Sequence, residues 1–101
     1  MIPIDKIEAI IARHEELEKE LSTGNIDSKN FAKKSKDYSD LNDIIHYAKN
    51  YLKYEGEKKD LEQMLNEKNN DQEMGVLAEK ELETLKLKKI ECENKLKIFL
   101  L

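Results

Sequence analysis

The sequence predicts an all-α fold: an elongated antiparallel three-helix bundle that continues as a coiled-coil hairpin, with one long central helix. Three observations predict it. Charged residues make up 40% of the 101 positions and hydrophobic residues 39%, the balance of long solvated helices. The apolar residues recur at steps of three and four, which lines one face of a helix; disordered chains share the charge but lack such a stripe. Breakers are scarce. Pro3, Gly24, Gly56 and Gly75 are the only proline and glycines, whereas strands and hairpins need β-branched runs punctuated by these residues. The apolar set is mostly Leu and Ile with no Trp, which suits a narrow seam between long helices better than a deep core.

The first helix is expected over 4–21, with Ile7, Ile10, His14, Leu17 and Leu21 on its seam. Gly24 is suited to a left-handed C-terminal cap, and Asp27 or Ser28 to capping the next helix. The second helix is expected over 28–67. Phe31, Ser35, Tyr38, Leu41, Ile45, Ala48 and Leu52 form the stripe of its first half, and Tyr51, Tyr54, Lys58, Leu61 and Leu65 that of its second. The two stripes are one residue out of phase, so this helix bends or changes partner just before Gly56; Gly56 is expected inside a continuous helix, at a cost of roughly 1 kcal/mol. Lys68-Asn69-Asn70-Asp71 reads as a loop in which Asn70 or Asp71 caps a third helix over 71–99. That helix carries Ala78, Leu82, Leu85, Lys89, Cys92, Leu96 and Phe99. Lys89 interrupts the stripe, with Ile90 beside it as compensation. Short connections make successive helices antiparallel. His14 then falls near position 38, Leu21 near Phe31 and Phe99 near Leu41, while 55–80 project as a two-helix hairpin. The longest helix gives a length of roughly 60 Å at ~1.5 Å per residue. Residues 1–101 are expected to form one domain.

Chemistry is sparse. The formal net charge of -4 argues against a dedicated nucleic-acid binder, which normally carries a basic excess. The charge is uneven, however: residues 26–53 hold six Lys against four Asp. Lys29, Lys33, Lys34 and Lys36 are candidate partner contacts there, with a solvated helix face as the plainer reading. Tyr54, in a group with Tyr38, Tyr47 and Tyr51, is a further candidate as an exposed partner-binding ring. His14 reads as a seam residue with a satisfied ring nitrogen. Cys92, the single cysteine, reads as a small core residue. No His-x3-His or Cys-x2-Cys spacing, phosphate loop or nucleophile elbow occurs, so no cofactor, metal or small-molecule substrate is expected. The early charges of the N-terminus do not fit a signal or transit peptide, and no apolar run approaches the ~20 residues of a membrane span. A cytoplasmic location is expected.

Short segments in order carry a resemblance. They are Arg13-His14-Glu15-Glu16-Leu17; Phe31 followed by Ser35-Lys36-Asp37-Tyr38-Ser39-Asp40-Leu41; Asp60-Leu61 with Met64-Leu65; Asp71-Gln72-Glu73-Met74 with Ala78; and the closing Leu100-Leu101. In this order and spacing the chain resembles the N-terminal helical domain of the bacterial-type peptide chain release factor 1 family, the class I release factors. Gln72 departs from the Pro usual in that family. The resemblance implies a part in translation termination, in which the full-length family protein recognises UAA and UAG on the ribosome and promotes peptidyl-tRNA hydrolysis. It implies contacts with the stalk base of the large ribosomal subunit and with accessory termination factors, and it leaves room for a contact with ribosomal RNA. The family's Gly-Gly-Gln and Pro-x-Thr motifs do not occur in the 101 residues, so no catalytic residue is expected here. Two alternatives are a free-standing coiled-coil adaptor that binds a helix through 55–80, and a small RNA binder that uses Lys29 to Lys36.

Overall fold

The computed structural model describes residues 1–67 and 72–100. The described residues form four helices and no strands: α1 (Ile4–Thr23), α2 (Ser28–Asn42), α3 (Ile45–Asn66) and α4 (Gln72–Leu100). The loop and cap expected at 68–71 lie outside the described residues, as does Leu101.

α1 begins at Pro3, whose carbonyl accepts from the backbone N–H groups of Lys6 at 3.1 Å and Ile7 at 3.4 Å. Proline has no N–H to leave unsatisfied there and its φ of -58° leads into a helix. At the far end Ser22 Oγ and Thr23 Oγ1 each donate to last-turn carbonyls, of Lys19 and Glu20, at 2.8 Å. Gly24 then turns the chain at φ 72°, a left-handed conformation that a Cβ would disfavour. Asp27 caps α2: its Oδ1 accepts from Asn30 N at 2.9 Å and its Oδ2 from Asn30 Nδ2 at 3.0 Å.

The expected single central helix is two helices. The joint is at Asp43–Ile44, not just before Gly56. The Ile44 N–H donates to Leu41 O at 3.0 Å, a bond one residue tighter than the α-helical one. Ile44 has φ -121° and ψ -6°, and its carbonyl accepts from Ala48 N at 3.1 Å to restart the ladder. The tightening changes which residues face inward. Leu41, Ile44, Ala48 and Tyr51 are buried, while Ile45 and Leu52 are half-buried. Gly56 lies inside α3, as expected.

α1 runs antiparallel to α2 and then to the start of α3, so it splints the joint. Glu20 meets Lys34, His14 meets Tyr38 and Asn42, and Ile2 meets Tyr51. α4 runs antiparallel to α3, with Glu93 against Tyr51 and Lys89 against Glu55. Beyond Glu55 the α3–α4 pair extends past the end of α1, which gives overall dimensions of 62 × 24 × 17 Å. The core gathers where the helices overlap: Ile7, Ile10 and Leu17 of α1, Leu41, Ile44, Ala48 and Tyr51, and Cys92 and Leu96 of α4. The α4 stripe continues along the α3–α4 pair as Leu85 and Ala78. Phe31 departs from its expected place on the seam: it is 46% exposed. Phe99 does face Leu41, across a groove that also includes Ile10.

Candidate partner-contact surface

Lys29, Lys33 and Lys36 are exposed on α2. At about 100° per residue they fall within roughly 60° of arc, one face of the helix. Lys34 points elsewhere. Its Nζ lies 2.6 Å from Glu20 Oε2 and ties α2 to α1; this hydrogen-bonded lysine lowers the Glu20 carboxyl below its ordinary range. The fourth candidate lysine is thus engaged within the chain.

Tyr54 lies 18 positions beyond Lys36, roughly 27 Å along the chain at ~1.5 Å per residue, so the lysines and the ring do not form one site. The ring is half-buried against the core, and Lys88 Nζ sits 5.8 Å from its centroid, a cation–π arrangement. The other tyrosines are placed by packing. Tyr51 is fully buried. Its hydroxyl accepts from Ile2 N at 3.2 Å and lies 3.2 Å from Glu93 Oε1, to which it donates, so one side chain links the N-terminal segment, α3 and α4. Burial, followed by smaller contributions that include the Glu93 carboxylate, raises its ionisation above the ordinary phenol range.

His14 occupies the seam with its ring satisfied, as its spacing implied. It stacks on Tyr38 with centroids 4.8 Å apart, and its Nε2 donates to Asn42 Oδ1 at 2.6 Å. His46 is on the outer face, bonded to Asn50 at 3.0 Å. Cys92 is a buried free thiol; desolvation, with the charges of Glu91 and Glu93, raises its pKa, the reverse of what a reactive thiolate needs.

Lys89 is the residue the stripe alone misread. It is buried, and Ile90, the supposed substitute, is 52% exposed. The Lys89 ammonium pairs with Glu55 across the α3–α4 seam and lies 5.3 Å from the centroid of the Tyr51 ring. Its hydrogen bond pulls the Glu55 carboxyl below the ordinary carboxylate range against the opposing effect of burial. Lys59 lies four positions after Glu55, the favourable local spacing for an ion pair. The true partner is 34 positions away, and the signal that finds it is the antiparallel register, which places 51 against 93 and therefore 55 against 89.

Among the described residues no group of three or more His, Cys, Asp or Glu side chains is arranged to hold a metal ion. No described helix is long and apolar enough to cross a membrane. The arrangement defines an elongated helical module, braced internally by ion pairs and by one tyrosine hydroxyl. Residues 10–101 match the model of the PCRF domain, and the chain belongs to that family. It is 55% identical over 101 residues to peptide chain release factor 1 of Pelagibacter ubique, a match that covers 100% of this chain and 28% of that protein. It is 36% identical over 101 residues to peptide chain release factor 1 of Lachnoclostridium phytofermentans (96% of this chain, 27% of that protein). It is 34% identical over 98 residues to the protein of the same name from Solidesulfovibrio magneticus (95% and 27%). The chain therefore spans a little over a quarter of the length of these relatives. No solved structure matches it.

Proposed function

We propose that this chain is the N-terminal helical module of a class I release factor and serves translation termination as a ribosome- and factor-contacting arm. Recognition of UAA and UAG and hydrolysis of peptidyl-tRNA then belong to parts of the protein beyond these residues, since neither Gly-Gly-Gln nor Pro-x-Thr occurs here. The observation that carries the reading is the 55% identity that runs unbroken along the whole chain. The geometry supports it. α2 and α3 act as one bent central arm, flanked by α1 and α4 in a three-layered antiparallel bundle whose hairpin projects as a spacer. Its partners are the stalk base of the large ribosomal subunit and accessory termination factors, and its compartment is the cytoplasm. Of the candidate contacts, Lys29, Lys33 and Lys36 are available to a partner, while Lys34 and Tyr54 are engaged with Glu20 and Lys88.

A chimera tests this. Residues 1–101 replace the matching segment of Pelagibacter ubique release factor 1, and release of formylmethionine from ribosomal complexes halted at UAA is measured. The chimera is expected to release at a rate close to that of the parent. A folded chimera that releases no faster than a parent lacking the segment overturns the reading.

A further inference from the structure

We infer that the outer face of α2, carrying Lys29, Lys33 and Lys36, is an RNA-backbone contact that binds phosphates without reading bases. This deepens the proposed function and rests on it for the identity of the RNA, though not for the chemistry of the face.

The face belongs to a basic helix in a chain that is acidic overall. α2 carries four Lys against Asp37 and Asp40, while the chain as a whole is at -4. Lys34 is taken up by Glu20, which leaves the three exposed lysines at i, i+4 and i+7. They span seven residues, about 10 Å of helix axis at ~1.5 Å per residue, enough to meet successive phosphates along one strand.

The residues between the lysines favour RNA over an acidic protein. The face holds Ala32 beside the three lysines and Asp40 at its far end, with no large apolar side chain. Phe31, the exposed aromatic of this helix, points roughly opposite at about 100° per residue. A protein-binding patch needs an apolar or aromatic centre and is depleted in Lys. Phosphate binding needs only positioned cations, and three flexible lysines supply point charges rather than the bidentate forks that read bases.

The test titrates the 101-residue chain against deproteinised bacterial large-subunit ribosomal RNA between 50 and 200 mM KCl, with polyglutamate as a second ligand. Three phosphate contacts predict a slope of log K against log salt of about -2.1 to -2.7, so affinity falls roughly 20- to 40-fold over that range. The variant K29Q/K33Q/K36Q, whose helicity is checked by circular dichroism, is expected to lose this binding. Single Lys→Gln changes each reduce the slope by about 1. The control K80Q/K97Q, two exposed lysines of α4, is expected to leave it unchanged. An absence of RNA binding, equal losses in the control, or survival of binding in the triple variant each overturns the inference. Polyglutamate bound as tightly as RNA assigns the face to an acidic protein and also overturns it. In the release chimera the triple variant is expected to raise the factor concentration for half-maximal release at an unchanged maximal rate. A parent chimera that fails in release while the chain still binds RNA defeats the functional reading and leaves this one standing.

Discussion

Replacement of Glu55 by Ala strands the Lys89 ammonium in the α3–α4 seam. The two side chains are 13% and 10% exposed, so little water reaches the orphaned charge. Removal of one partner of a buried pair costs about 3 to 5 kcal/mol. The residual exposure, and the Tyr51 ring 5.3 Å from the ammonium, place the cost near the lower end, about 3 kcal/mol. At roughly 0.05 to 0.15 kcal/mol of stability per residue, that is a large part of the whole. Urea denaturation reads it directly. With m of about 1 to 3 kcal/mol/M, the midpoint falls by roughly 1 to 3 M at unchanged m. The double variant Glu55→Leu with Lys89→Leu removes the unpaired charge and keeps the volume apolar; it is expected to match the native chain or exceed it by about 1 to 4 kcal/mol. A Glu55→Ala cost under about 0.5 kcal/mol, the value of an exposed pair, refutes the buried-pair reasoning. So does strict additivity of Glu55→Ala and Lys89→Ala in a double-mutant cycle.

The same pair sets a pH dependence. The folded Glu55 carboxyl titrates below its ordinary 4.5, so its contribution is complete above that pH and is lost as the pH falls through the depressed value. The stability gap between the native chain and Glu55→Gln is expected to stay constant above pH 5 and to close below about pH 4; a gap that widens on acidification contradicts it. Tyr51→Phe removes the hydroxyl that joins Ile2, α3 and Glu93 and is expected to cost about 1 to 3 kcal/mol in thermal or urea unfolding. Gly56 and Gly24 respond oppositely to Ala. At Gly56 nothing lies within 4 Å of the added Cβ and the backbone is helical, so stability rises by about 0.5 to 1 kcal/mol. At Gly24, with φ at 72°, it falls by roughly 1 to 2 kcal/mol.

Much of the fold was legible in the sequence wherever a single periodic signal stood alone. Ile7, Ile10, His14 and Leu17 of the α1 stripe are buried and Leu21 is half-buried, because steps of three and four through this segment select one phase even where Ile10 and Ile11 are adjacent. Gly24 and Asp27 mark the turn through local chemistry, the left-handed φ and the side-chain cap. The joint at Asp43–Ile44 was not legible. Ile44 and Ile45 are equally apolar, and the Tyr51 ring and Leu52 can each pack inward, so two phases fit the same residues and neither Gly nor Pro marks the change. Only packing against α1 on one side and α4 on the other selects Ile44 and Tyr51. The phase shift was visible, but the nearby Gly56 drew it to the wrong place.

The candidate surface was legible in part. The basic excess of α2 can be counted from composition, but the withdrawal of Lys34 toward Glu20 depends on how α1 and α2 face each other. Lys89 shows the limit most plainly. Its position in a Leu-rich stripe reads as a defect until the antiparallel register supplies Glu55 from 34 positions away.

The most direct measurement is to read the source gene past codon 101. Membership of a release factor predicts that the frame continues through a Pro-x-Thr motif and then a Gly-Gly-Gln motif in one protein with these helices. A stop codon directly after Leu101 would contradict the account, because decoding and hydrolysis would then have no place in the protein.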